Sequence, residues 1–166
     1  MDISLKNSPT LKNIQEIFSD NFDAMKTKLF SDANYTCQCC GWEGAKQMEN
    51  RKHLTLHIDS IDESDPKNTP VFVVCKSCYL INHISNAVEH DFVTLVNSSF
   101  SQEDLIKISW SDSSKKNIVN NNRQKAIDDK KIIPLKKDPK IYLNQIQEGI
   151  SSGKIKVIFN NNFLKT

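Results

Sequence analysis

Cys37 and Cys40 stand two residues apart, and Cys75 and Cys78 repeat that spacing after 34 intervening residues. Two such pairs supply four thiolates, the donor set of a closed, tetrahedral, structural Zn²⁺ site with no open position for water. Gly41 follows the first pair. A knuckle must turn so that backbone N–H groups point at the thiolates, and glycine takes that turn without a Cβ penalty. Cys39 is the fifth cysteine. Using it in place of Cys37 or Cys40 gives a spacing too short or off register, so it reads as a free thiol beside the knuckle.

Positioning four sulfurs requires elements on either side. Residues 9–30 read as helical, with Pro9 suited to a first turn and Leu11, Ile14, Ile17 and Phe18 at helical spacing. Asp20-Asn21 breaks the run, and Phe22, Met25, Leu29 and Phe30 form a second stripe. The knuckle spans Tyr35 to Trp42. Leu54 to Ile58 reads as a short strand, Asp59 to Pro70 as a loop, and Val71 to Val74 as a buried strand running into Cys75. The second pair then opens a helix through Tyr79, Leu80, Ile81, His83 and Ile84, whose N-terminus favours thiolate charge. Knuckle, hairpin, then a helix carrying the second pair is the order of a treble clef.

Further on, Phe92 to Val96 predicts a strand. Ser101 predicts the cap of a helix through Trp110, with Asp104 at its third position. Residues 111–122 are polar and read as a linker. Helices are expected over 123–131 and from Pro139, capped by Asp138, to near Gly149. Ile155 to Phe159 predicts a last strand. The expected fold is α+β: a zinc-binding treble clef over 34–110, a helical segment at 1–33, and a basic α/β appendage at 123–166.

The chain has 166 residues, of which 38% are hydrophobic. That is a modest supply for a core, and metal binding would add to local stability. No stretch of 18 apolar residues is present, so nothing is expected to insert in a membrane. Met1 to Lys6 lacks the pattern of a secretory signal. With an odd number of cysteines, this points to a reducing, cytoplasmic setting and to metal binding over disulfides. The net charge of +2 hides an asymmetry. Leu56 to Asp112 holds nine acidic and three basic residues, whereas Lys115 to Lys140 holds nine basic and three acidic. Nucleic acid would be repelled by the first and drawn to the second, through phosphate contacts. Lys115–Lys140 has no aromatic residue for base stacking.

The knuckle, His57 on the hairpin and His83 beyond Cys75-Lys76-Ser77-Cys78 together resemble the HNH endonuclease module. That family activates water with a hairpin histidine beside a divalent metal. Carried over, the resemblance implies His57 as general base, His83 as metal ligand, and Asn68 near the asparagine that braces the hairpin loop. The sequence departs from the pattern at Leu56, where the family has a metal ligand that leucine cannot be, and at Tyr79, where it often has histidine. Asp59 or Asp62 could substitute as ligands, although nothing in the spacing requires it. Asn34-Tyr35-Thr36-Cys37 through Trp42, Val73 through His83, and Ser101-Gln102-x-x-Leu105 are similar to the DotN (IcmJ) family of the Dot/Icm type IVB secretion coupling complex. This narrower resemblance covers residues 34–110 and implies an HNH-derived zinc protein used as an assembly part.

Three functions remain open. The first is a non-catalytic zinc scaffold with a protein partner. The second is a divalent-metal endonuclease using His57 and His83. The third is a nucleic-acid-binding regulator, such as a phage or plasmid protein, acting through Lys115–Lys140. Against the catalytic role, His57 beside Leu56 reads first as a strand histidine satisfied by a backbone carbonyl, and His83 equally as a helix residue beyond the zinc or as a ligand. His53 and His90 read as solvated, and Trp42 and Trp110 as packing residues.

Overall fold

The computed structural model describes residues 9–84, 87, 93–110, 148–150 and 152–159. The chain divides into two compact units, Lys6–Tyr79 and a second comprising Met1–Leu5 with Leu80–Thr166. Each combines helix with a two-stranded antiparallel sheet, so the fold is α+β. The expected linker at 111–122, the helix at 123–131, the start of a helix at Pro139, the basic run Lys115–Lys140 and His90 lie outside the described residues. Among the described residues no helix is long and apolar enough to cross a membrane.

The unit that carries the cysteines begins with α1 (Leu11–Ile17). Its cap is Thr10, so the helix begins two residues after the Pro9 start that the sequence suggests. The Thr10 side chain accepts from the Asn13 N–H, and Asn13 Oδ1 accepts from the Thr10 N–H at 2.8 Å. Thr10 satisfies an orphan donor of the first turn, which proline cannot do. A 3₁₀ turn at Ser19–Asn21 breaks the helix where Asp20-Asn21 stands, and α2 (Phe22–Asp32) follows. Strands β1 (Leu54–His57) and β2 (Phe72–Cys75) pair in the register Leu54↔Cys75, Leu56↔Val73, His57↔Phe72. Helix α1 packs against β1 and α2 against β2. Ile14, Phe30, Leu54, Leu56, Ile58, Val73 and Val74 are buried. Burial of each such side chain contributes about 1.5–3 kcal/mol.

Helix α3 (Lys76–Asn82) starts directly after β2. In the second unit, β3 (Val93–Val96) pairs antiparallel with β4 (Lys156–Phe159), Leu95 opposite Val157. Helix α4 (Gln102–Trp110) lies against β4, with Val96, Leu105 and Ile158 at the centre of the cluster and Phe100 and Ile108 packed on it. Ser101 caps α4 as its spacing predicts: its Oγ accepts from the Asp104 N–H at 3.0 Å and donates to Asp104 Oδ2 at 2.7 Å. Gln102 makes two bonds to one residue of β4. Its Nε2 donates to the Val157 carbonyl at 3.0 Å, and its Oε1 accepts from the Val157 N–H at 2.7 Å.

Candidate metal centre

The knuckle closes on its own backbone. The Cys37 N–H donates to the Trp42 carbonyl and the Gly41 N–H to the Cys37 carbonyl, both at 2.9 Å. Gly41 sits at φ +70°, with open space where a Cβ would lie. Gly41→Ala therefore meets backbone strain alone, and thermal denaturation of the metal-loaded protein is expected to show a loss of about 1 kcal/mol. Gly44 is fixed for another reason: a Cβ there would collide with the Trp42 ring.

Gln38 fastens the knuckle to β2. Its N–H donates to the Val73 carbonyl at 2.9 Å, and its side-chain Oε1 accepts from the Val73 N–H at 2.7 Å. This brings Cys37 and Cys40 to the end of β2, where Cys75 leaves the strand and Cys78 follows on the first turn of α3. All four side chains are buried, and their Sγ atoms all lie within 4.8 Å of one another. The close contacts cross between the pairs, Cys37 to Cys78 at 3.7 Å and Cys40 to Cys75 at 3.9 Å. These distances exclude disulfides, whose sulfurs sit about 2.05 Å apart. They match the edge of a tetrahedron whose centre is about 2.3 Å from each sulfur, an edge of roughly 3.8 Å. The cluster could hold a metal ion, and its all-sulfur geometry is consistent with zinc.

Backbone dipoles support charge at this point. The Cys75 N–H donates to Cys37 Sγ at 3.2 Å and the Cys78 N–H to Cys75 Sγ at 3.5 Å. The Cys37 thiol is held far below the ordinary thiol range by hydrogen bonds from Cys40, Cys75 and Cys78. The Cys78 thiol is driven far above it, first by Cys37, then by Cys39, Cys40 and Cys75, and by burial. Four thiolates so confined repel one another. A dication at their centre would let all four ionise together. Cys39 is half-buried and outside the quartet.

The residues matched to the nuclease pattern are placed differently. Leu56 is wholly buried in the core opposite Val73. His57 is buried too, and its Nε2 lies 3.0 Å from Asp59 Oδ1, so a carboxylate faces that ring nitrogen. The Tyr79 ring meets the His57 ring edge-on at 6.3 Å. The Tyr79 hydroxyl accepts from the Leu11 N–H at 3.3 Å, tying α1 to α3. Asn68 is exposed in a 3₁₀ turn at Pro66–Asn68, where its N–H donates to the Asp65 carbonyl at 3.0 Å. Asp62 and Thr69 brace the loop through their side chains: Asp62 Oδ1 accepts from the Ser64 N–H, the Ser64 hydroxyl and the Asp65 N–H, and Thr69 Oγ1 accepts from the Asp62 N–H. Asp62 is thus a turn residue, its carboxyl lowered by the Ser64 hydroxyl and then by those two amides. His83 belongs to the second unit, where its carbonyl accepts from the Ala87 N–H. Trp42 is buried and Trp110 half-buried. His53 is half-buried.

Gln38, Tyr79 as a tie to α1, and Thr69 were not singled out by spacing. The Asp62-Glu63-Ser64 string is a signal for a side-chain-braced turn. Comparison with protein-family models, with curated proteins and with solved structures finds no match to this chain.

Proposed function

We propose that Cys37, Cys40, Cys75 and Cys78 bind one structural Zn²⁺ in a treble clef of HNH ancestry, and that the chain is a non-catalytic scaffold. It works by contact with a protein partner, in an assembly of the secretion type and in a reducing cytoplasm. The observation that carries this reading is the contrast between two sets of residues. The four sulfurs are complete and converge at 3.7–3.9 Å. The position matched to a catalytic metal ligand is Leu56, sealed in the core. The order of knuckle, β1–β2 hairpin and α3 supports the treble clef. Zinc in this setting supplies cross-linking of loop, strand and helix. It has no open coordination position for chemistry.

The second reading, a nuclease, is favoured by the His57–Asp59 contact, because a carboxylate on one ring nitrogen fixes the orientation and tautomer of the imidazole. One assay separates the two. Plasmid and single-stranded DNA are incubated with wild type and His57→Ala in Mg²⁺, Mn²⁺ or Ni²⁺. Neither protein is expected to cleave. Metal-dependent cleavage lost in His57→Ala would establish an enzyme. For the scaffold itself, gentle lysis of the native host should recover the chain in a larger complex, and recovery as a lone monomer would count against it.

A further inference from the structure

Two consecutive residues between α2 and the first metal ligand are left-handed, Asn34 at φ +50° and Tyr35 at φ +51°. Asn34 has a local reason. Helix α2 ends in a Schellman motif, in which the Tyr35 N–H donates to the Phe30 carbonyl at 2.9 Å and the Asn34 N–H to the Ser31 carbonyl at 2.8 Å. That motif places one left-handed residue just past the helix, and asparagine takes the position readily. It does not ask for a second. Tyr35 is an aromatic residue in a costly conformation, and something beyond the helix end must hold it there.

Two sets of contacts do so. Along the chain, the Thr36 N–H donates to the Ala33 carbonyl at 3.0 Å, the Thr36 hydroxyl to the Asn34 carbonyl at 3.1 Å, and the Cys37 N–H to the Trp42 carbonyl. Across the chain, the Arg51 guanidinium lies over the Tyr35 ring, its carbon 3.7 Å from the centroid. The Arg51 Nε is buried without a hydrogen bond among the described residues, and the ring face is what the cation rests on. This stack joins the two halves of the ligand set. Only Thr36 stands between Tyr35 and Cys37. Arg51 belongs to the 3₁₀ segment Met48–His53, and its carbonyl accepts from the Leu54 N–H. Leu54 opens β1 and lies opposite Cys75. A metal on the quartet links the segment of Cys37 to the segment of Cys75, and Tyr35 with Arg51 links the same two segments through side chains.

We propose that Tyr35 and Arg51 form a clasp that retains the metal, acting as positioning residues that keep the two ligand pairs together. The inference rests on the zinc reading and adds to it a control on how fast the ion leaves. For the ion to escape, the Cys37 side of the site must part from the Cys75 side, and that motion draws the ring off the guanidinium. The left-handed backbone at Tyr35 is the cost of carrying the ring to Arg51. The ring face, not the hydroxyl, holds the cation, so phenylalanine should serve as well as tyrosine. The planar guanidinium suits this role because it stacks flat on an aromatic face.

The test loads the full chain with zinc and follows release of the ion to an excess of coloured chelator. Arg51→Ala and Tyr35→Leu should each speed release about fivefold, from a starting state with the metal content and circular dichroism of wild type. The double variant should be no faster than the faster single one, because both changes remove one contact. Tyr35→Phe should release zinc at the wild-type rate. Asp62→Ala is the control: it loosens the β1–β2 loop, away from the clasp, and should leave the release rate unchanged. Wild-type release in both single variants, multiplied rates in the double variant, or a Tyr35→Phe as fast as Tyr35→Leu would each overturn the proposal. So would an Asp62→Ala as fast as Arg51→Ala, since zinc would then leave by general loosening of the unit. Should a Tyr35 variant fail to load zinc, Arg51→Ala against Asp62→Ala decides alone. A wild type that loads no zinc means that the zinc reading itself has failed.

Discussion

Cys75→Ser is expected to release the metal and unfold the unit Lys6–Tyr79, and a strong chelator should do the same to wild type. The size of the effect follows from what Cys75 holds. It ends β2, faces Cys40 at 3.9 Å, and its N–H donates to the Cys37 sulfur. Structural zinc sites contribute roughly 10–16 kcal/mol at neutral pH. A small domain's whole stability is about 5–15 kcal/mol. Losing one of four ligands therefore removes as much as the unit has to lose. Without the ion, the buried sulfurs either stay protonated or repel. Metal analysis should give one zinc per wild-type chain and none for Cys75→Ser, with the far-ultraviolet spectrum collapsing in parallel. A folded, metal-free Cys75→Ser protein would refute the structural role. Acidification should mimic chelation, because protons compete with the metal for thiolates and affinity falls as pH falls.

Gln102→Leu is expected to destabilise the second unit by about 2–4 kcal/mol, a large cost for a half-buried residue near a helix start. The side chain is of similar size, so packing is largely retained. What is lost is a paired bond: the Val157 N–H and carbonyl both terminate on the Gln102 amide. Val157 is wholly buried, so water cannot replace the amide. Each buried polar group left unmade costs about 1–3 kcal/mol. Gln102→Glu is the sharper variant. It keeps an acceptor for the N–H but turns a carboxylate oxygen toward the Val157 carbonyl, so it should also be destabilising, and less so once the carboxyl is protonated. Urea denaturation at neutral and mildly acidic pH measures both. Wild-type stability in Gln102→Leu would mean that α4 is held to β4 by its apolar contacts alone.

The parts of this structure readable in the chain are those fixed by local chemistry. The cysteine spacing marks the quartet, because a metal's coordination sphere tolerates few sequence solutions. The Val71–Val74 run and the alternation around Leu54–Leu56 mark the hairpin, and Ser101 with Asp104 marks the start of α4. What was not legible depends on partners distant in sequence. The pairing of β3 with β4 joins strands separated by the whole of 97–155, and nothing in either strand specifies the other. Gln38 and Gln102 bond to backbone, which every residue offers, so neither leaves a trace in composition. His57 was legible as a hairpin histidine, but its burial and the Asp59 carboxylate beside it depend on the path of the chain. Asp62 shows the reverse case: the resemblance offered it as a substitute ligand, and its Asp-x-Ser string, which braces the turn, was legible but unread.

Gln38 and Gln102 do the same thing in two places. Each directs an amide oxygen at a strand N–H from 2.7 Å, and each strand carbonyl of that residue is also taken, at Val73 by the Gln38 backbone and at Val157 by the Gln102 side chain. Val73 and Val157 pair with Leu56 and Leu95 on their other sides. At their midpoints, β2 and β4 thus have no backbone group left to offer an incoming strand. Two-stranded sheets are ordinarily open to edge-to-edge association and to β-strand addition by a ligand. Here two glutamines close those edges, Gln38 by side chain and backbone at Val73 and Gln102 by its side chain at Val157. Recognition along β2 or β4 must therefore read side chains rather than extend the sheet, and self-association by strand pairing is blocked at the same two residues.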